Sequence, residues 1–208
     1  MKKTNTIEVV AMPIQTKTIL IEGTGDLVLN KMNAPTVRAL TDARKDKAKS
    51  LEKPNYWEEV ITSMHWYNGT PSDFSEEGMK RALVENAPCI SGFGLKKSLG
   101  DAVVRAGIDQ YKTKFDANVN IIAKNNLIPV KFAQHFVDEK LMSPKKGAPV
   151  LAKLNRFTGW TAQFDIQFLE NVYSLEQIVN IINMAGFGIG IGSGRSSGYG
   201  RYKVVGIV

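Results

Sequence analysis

Cysteine, histidine and long apolar runs are scarce in this sequence. The single cysteine, Cys89, excludes a disulfide within the chain and is typical of a reducing compartment. The two histidines, His65 and His135, lie far apart and lack the spacing of metal ligands, so we expect neither a metal nor a cofactor. No apolar run is long enough for a transmembrane helix, and the first six residues lack the apolar region of a signal peptide. We therefore expect a cytoplasmic protein without membrane contact.

Basic residues, by contrast, outnumber acidic ones. The chain has 208 residues, of which 27 are Lys or Arg and 20 are Asp or Glu, giving a formal net charge of +7. With 43% hydrophobic residues, it can bury one sizeable core. The positive charge favours a polyanionic partner such as nucleic acid without requiring one.

The most informative feature is a glycine-rich run near the end of the chain, residues 186–203, which we call the glycine loop. Successive amides in such a loop can form an anion-binding nest, and Arg195 and Arg201 can bind phosphate oxygens. A dinucleotide-binding fingerprint would place a strand before the glycines and a helix after them, and this chain has the reverse order. A P-loop would need Gly-Lys-Ser/Thr, which is absent. The run is equally compatible with a flexible hairpin, and at this point both interpretations stand.

Hydrophobic periodicity predicts an α+β fold. Apolar residues at helical spacing predict helices over residues 94–106 and 174–186, the second with a capping box formed by Ser174 and Gln177. Period-two alternation and β-branched runs predict strands over residues 17–23, 119–124, 127–132, 157–170 and 199–208. If the β-rich stretch of residues 119–132 is one broken strand, the order is βαββαβ, the ferredoxin-like arrangement.

With that order and that closing loop, the chain resembles the RAMP superfamily, the ferredoxin-like, RRM-related proteins of CRISPR effector complexes. The matching segments are residues 19–30, residues 90–99 leading into the first helix, and the Gly-Ser-Gly-Arg-Ser-Ser-Gly-Tyr-Gly-Arg-Tyr segment. The sequence is also similar to solitary RAMP-like proteins of phages and prophages. The resemblance implies a single domain over residues 1–208 with residues 23–89 as a lobe inserted after the first strand. A phage-encoded protein would act in the host-cell cytoplasm.

The resemblance further implies a protein of phage or mobile-element type that binds single-stranded nucleic acid, RNA in preference to DNA, without cutting it. It also implies head-to-tail homo-oligomers and contact with a host or phage protein complex. The glycine loop would hold the phosphate backbone, and lysines outside it would extend the basic track. The predicted binding residues are Gly190, Gly192, Gly194, Arg195, Gly198, Tyr199, Arg201, Lys96, Lys97, Lys145 and Lys146.

The segment between the first strand and the first predicted helix holds two further features. Residues 38–53 alternate basic and acidic side chains, which favours a solvated helix or arm. Tyr56, Trp57, Trp66 and Tyr67 form an aromatic cluster that could stack on bases, although we expect Trp57 and Trp66 to belong to a core.

Residues suited to catalysis are few, and we expect no enzyme. Two candidates follow from the resemblance: His65, before the first helix, as in guide-processing nucleases, and Asp26, after the first strand, as in target-cutting subunits. The Met-His-Trp-Tyr setting of His65 is typical of a strand or core, and a turn-forming role is the preferred interpretation of Asp26. The alternatives to a binding protein are therefore a metal-independent ribonuclease and a RAMP mimic that acts through protein contacts.

Overall fold

The computed structural model describes residues 11–45, 55–142 and 150–208, which form helices and antiparallel strands. The strands are β1 (Ile14–Gly23), β2 (Leu27–Leu29), β3 (His65–Trp66), β4 (Pro88–Ser91), β5 (Val119–Ile122), β6 (Leu127–Lys131), β7 (Gln134–Met142), β8 (Val150–Thr158), β9 (Thr161–Leu169) and β10 (Tyr202–Ile207). The helices are α1 (Ala34–Lys45), α2 (Tyr56–Thr62), α3 (Glu76–Glu85), α4 (Gly92–Arg105), α5 (Thr113–Asn118) and α6 (Leu175–Gly188). The predicted α+β class is confirmed.

The main sheet has seven strands in the order β10-β1-β9-β6-β4-β3, with β5 paired to β9 beside β6. The predicted pairing of the closing strand with the first strand is confirmed: Ile19 lies opposite Ile207, and Gly23 lies opposite Tyr202. The closing strand begins at Tyr202 rather than at Tyr199, because Gly200 has a φ of +70°, which an extended strand does not accommodate.

The core lies between this sheet and the helices α4 and α6. Alternation along β9 places every second side chain in the core, and Ile178, Ile181 and Ile182 of α6 are buried with them. The predicted capping box is present: the Ser174 Oγ accepts from the Gln177 amide at 3.2 Å, and the Gln177 Oε1 accepts from the Ser174 amide at 2.9 Å. Burial of each large aliphatic side chain contributes about 1.5–3 kcal/mol, which holds both helices on the sheet.

One segment that the sequence predicted as a single strand falls in two strands, β8 and β9. Residues 157–170 were expected to run continuously, but Gly159, with a φ of +55°, turns the chain between β8 and β9. The strands β8, β7 and β2 form a separate three-stranded sheet, in which Leu27 lies opposite Phe157. Of the predicted binding residues, Lys145 and Lys146 follow β7 and lie outside the described residues.

In residues 23–89, the described positions (23–45 and 55–89) contain three helices and return to the main sheet through β3 and β4. Trp66 is buried as predicted, and its Nε1 donates to the Ile61 carbonyl at 2.8 Å. Trp57 packs partly against the core, next to Tyr56. The basic segment of residues 38–53 is helical as far as Lys45, and residues 46–54 lie outside the described part. Among the described helices, none is long and apolar enough to span a bilayer.

Candidate nucleic-acid interface

The glycine loop crosses from the end of α6 at Gly188 to the start of β10 at Tyr202. Five of its glycines have positive φ values, and at two of them the reason is close packing within the loop itself. A Cβ on Gly200 would overlap the carbonyl oxygen of Ile191, and a Cβ on Gly190 would lie 2.9 Å from the carbonyl oxygen of Gly200. The loop therefore folds back on itself, and the Ile191 amide donates to the Gly200 carbonyl at 2.9 Å.

Most of the loop amides are used inside the protein. The Ser193 amide donates to the Val28 carbonyl at 2.8 Å, and the Gly200 amide donates to the Asp26 carbonyl at 2.7 Å. Further amides with internal partners are those of Gly190, Ile191, Ser197 and Gly198. An amide that already donates to a carbonyl is not free for an anion. Among the described residues, no backbone carbonyl accepts from the Arg195 and Ser196 amides, so the loop offers these two amides, together with its side chains, to a ligand.

Buried contacts with α4, α6 and β10 fix the position of the glycine loop. The Ser98 Oγ on α4 donates to the Gly190 carbonyl at 2.8 Å, with Ser98 fully buried. Gly186 lies so close to the backbone carbonyl of Tyr202 that any side chain there would collide with it. Burial raises the pKa of the Tyr202 hydroxyl, which therefore stays protonated. The loop is thus held between α4, α6 and β10.

Three arginines meet on the outer side of the loop. They border the arginine cleft, which has a volume of about 360 Å³ and is lined by Asp101, Arg105, Gly188, Ile189, Arg195, Ser196 and Arg201. The Arg201 Nη2 donates to the Arg195 carbonyl at 3.4 Å, which orients the Arg201 guanidinium. Its Nη1 is buried and has no hydrogen-bond partner within the described ranges. A buried guanidinium N–H without an acceptor is unusual. Because this atom has no exposed surface, an anion in the cleft would meet the exposed Arg105 and the half-buried Arg195 instead.

The sequence predicted Arg195 and Arg201 but missed Asp101 and Arg105. The two missed residues are four positions apart on α4, so they lie on the same side of the helix. That side faces the loop, because Ser98 and Gly94 from the same helix also reach it. With three guanidinium groups and one carboxylate, the cleft carries a formal charge of about +2.

The two predicted lysines on α4 lie on different sides of the helix. The Lys96 ammonium donates to the Asp116 carbonyl at 2.9 Å and to the Asn120 Oδ1 at 3.0 Å, on the side of α4 that faces α5 and β5. Lys97 is exposed and precedes Asp101 by one helical turn, so it extends the basic surface of the cleft. Tyr199 is half-buried and packs over Gly194, where a Cβ would lie 2.7 Å from the ring.

His65 lies in a second, smaller cleft on the other side of the loop. This histidine cleft has a volume of about 190 Å³ and includes Lys31, His65, Cys89, Ser91, Gly94, Gly192 and Ser193. Burial, together with the charge of Lys31, lowers the pKa of His65, so its imidazole is neutral at pH 7. Burial raises the pKa of the Cys89 thiol to about 12, which makes this thiol a poor nucleophile at neutral pH.

Asp26 participates in an ion pair. Its carboxylate accepts from the Arg156 Nη1 at 2.8 Å, and Arg156 also bonds Asp138 at 2.5 Å. These contacts tie the turn after β1 to β8 and β7, which agrees with a structural role for Asp26. Within residues 11–45, 55–142 and 150–208, no group of three or more His, Cys, Asp or Glu side chains could hold a metal ion.

The protein is thus an antiparallel α+β protein with a basic cleft beside the C-terminal ends of α4 and α6. A chain of the cryo-EM structure of the Type III-B Cmr-beta bound to cognate target RNA is similar to it, with a TM-score of 0.53 and 14% identity over 94% of this chain. The match spans 60% of that chain's length. The crystal structure of Cmr6 from Pyrococcus furiosus matches with a TM-score of 0.41 and 10% identity, over 94% of this chain and 100% of that one.

At these identities the comparison concerns the fold alone, which this chain shares with the Cmr-beta structure. No protein-family model matches the chain. No curated protein sequence matches it either.

Proposed function

We propose that this protein binds single-stranded nucleic acid, RNA in preference to DNA, through the phosphate backbone and without cutting it. The observation that carries the proposal is the arginine cleft, in which Arg105, Arg195 and Arg201 surround a space lined by the glycine loop. Phosphate oxygens are strong acceptors for guanidinium groups, and the exposed Arg105 and half-buried Arg195 can reach a phosphate in the cleft.

The chemistry of the cleft favours backbone contact over base recognition. Its polar side chains are the three arginines, one aspartate and Ser196, and a serine hydroxyl bonds donors and acceptors alike. Phosphate contacts position a strand without reading its sequence. The net charge of +7 agrees with a polyanionic ligand, and so does the fold that the chain shares with a Cmr-beta structure bound to RNA.

Two structural assignments accompany the proposal. The strand order β10-β1-β9-β5, with α4 after β1 and α6 after β9, supports a ferredoxin-like domain in which residues 23–89 are an insertion. We further propose a protein of phage type that assembles head-to-tail and docks on a larger complex. Sedimentation with and without oligonucleotide tests the assembly, because a strictly monomeric profile in both conditions contradicts it. Light scattering after nuclease treatment shows whether assembly needs nucleic acid.

The direct test is purification at low salt, followed by measurement of the 260/280 absorbance ratio and sequencing of the co-purifying nucleic acid. We expect RNA of mixed sequence, and tighter binding of single-stranded RNA than of the DNA of the same sequence in fluorescence anisotropy. Protein that purifies free of nucleic acid and binds neither oligonucleotide at low salt would refute the proposal.

A ribonuclease is the second candidate, and the histidine cleft is the observation that favours it. A neutral imidazole at His65 can accept a proton, and the adjacent Lys31 can stabilise negative charge on a phosphate. Incubation of end-labelled RNA with the wild type and with His65→Ala decides between the two functions. Cleavage that is lost in a folded His65→Ala variant supports the ribonuclease, whereas intact RNA in both reactions supports a binding protein.

A further inference from the structure

Two phenylalanines are exposed where helices α4 and α6 meet the glycine loop. Phe93 and Phe187 are 75% and 87% exposed, the highest values of any aromatic side chain in the described part of the chain. Each lies between two glycines, in Gly-Phe-Gly segments over residues 92–94 and 186–188. A single exposed apolar side chain is ordinary on a protein surface, so these two rings draw attention through their position beside the elements that carry the proposed ligand site.

The flanking glycines explain why the rings face solvent. On α6, Gly186 packs against the Tyr202 backbone, which leaves the next residue, Phe187, on the outer side of the last turn. Gly188, directly after Phe187, lines the arginine cleft. The last turn of α6 thus places an exposed ring one residue before the lining of the arginine cleft.

On α4, Phe93 begins a ridge of residues spaced four apart, which continues through Lys97 and Asp101 to Arg105. The last two line the arginine cleft, so the ridge connects that cleft to the first turn of the helix. At 1.5 Å per residue, the ridge is about 18 Å long. Along the ridge, an aromatic ring is followed by a lysine, an aspartate and an arginine. This combination of a ring and charged groups suits a short run of nucleotides better than an apolar protein surface.

We propose that Phe187 and Phe93 are stacking platforms for unpaired bases of a strand whose phosphates bind in the arginine cleft. This inference rests on the proposed function and adds the determinant that selects single strands. Every base has a π-face, so stacking tolerates any sequence, whereas bases within a duplex are already stacked on each other. Phe93 and Phe187 thus replace Trp57 and Trp66 as the candidates for base stacking, because the two tryptophans pack in or against the core.

The experiment compares Phe93→Ala, Phe187→Ala and the double variant with wild type on two probes. One probe is a single-stranded oligoadenylate, and the other is an abasic oligonucleotide of the same length, which keeps the backbone and lacks the bases. Each alanine variant should bind oligoadenylate at least about fivefold more weakly, and a tryptophan at either position should restore binding. Binding of the abasic probe should stay unchanged. Val84→Ala, at an 86% exposed position on α3, is the matched control and should alter neither.

The outcomes separate this inference from the proposed function. If wild type binds the abasic and base-containing probes equally well and the alanine variants change nothing, stacking is wrong while backbone binding stands. If neither probe binds wild type at low salt, the proposed function fails as well. If Phe187→Ala abolishes self-association and leaves oligoadenylate binding intact, the ring belongs to a protein interface, and our inference is overturned. Circular dichroism confirms that each variant is folded.

Discussion

The arginine cleft gives a quantitative prediction about salt. Replacing Arg195 and Arg201 together by alanine removes two of the three guanidinium groups in the cleft. For single strands, each phosphate contact contributes about 0.7 to the slope of log affinity against log salt. The double variant should therefore have a slope about 1.4 shallower than that of wild type. Between about 50 and 200 mM salt, wild type should lose about sevenfold more affinity than the variant does.

The assay is a salt titration of fluorescence anisotropy with labelled single-stranded RNA. The matched control is Lys80→Ala with Arg81→Ala, which also removes two positive charges from the net of +7. Both control side chains lie on α3 and are more than half exposed. If only the overall charge of the protein mattered, both double variants would change the slope equally. We expect the control to keep a slope close to that of wild type.

Stability must be measured in parallel, because Arg201 is half-buried and contacts the Arg195 carbonyl. Circular dichroism and a thermal melt show whether the double variant keeps the native fold. A folded Arg195→Ala, Arg201→Ala protein with the wild-type slope and affinity would refute the reasoning. The glycine loop would then be a structural hairpin.

Three further predictions concern stability. Gly200→Ala should lower the melting temperature markedly, because the φ of +70° and the adjacent Ile191 carbonyl both oppose a Cβ. Gly198→Ala, at a φ of +88° with nothing within 4 Å, should lower the free energy of unfolding by only about 1–2 kcal/mol. Ser98→Ala should cost about 1–3 kcal/mol in chemical denaturation, because it leaves a buried loop carbonyl without its donor. Burial lowers the pKa of His135 below 6.5, so the unfolded chain binds more protons at this site, and stability should fall as pH drops below 6.5. His135→Gln should reduce this loss, and His65, whose pKa is lowered as well, should account for the rest.

The parts of the fold that the sequence predicted are those set by local pattern. Alternation marks β9, and the capping box marks the start of α6. The turn at Gly159 was missed because a single glycine between two strand-like runs resembles an ordinary interruption. The second sheet was missed for a different reason: β2 pairs with β8, about 130 residues further along, and no local pattern carries such a pairing.

The site was predicted only where its residues lie in the loop. Arg195 and Arg201 are close in sequence, so the glycine run pointed to both. Arg105 joins them through the packing of α4 on α6, which depends on the tertiary structure. Lys96 and Lys97 are adjacent in sequence, yet a helix turns by 100° per residue, so only the second is on the side towards the cleft.

The glycines show why their number alone overstates the part that the loop backbone plays in ligand binding. A glycine that admits a ligand and a glycine that admits another part of the chain look identical in sequence. In this loop the second use dominates: Gly200 makes room for the Ile191 carbonyl, and Gly186 for that of Tyr202. Because the glycines close the loop and most of its amides bond inward, the loop is a scaffold that fixes where Arg195 and Arg201 point. A substitution that loosens the scaffold should therefore weaken binding through the arginines, and it should do so even where it touches no ligand.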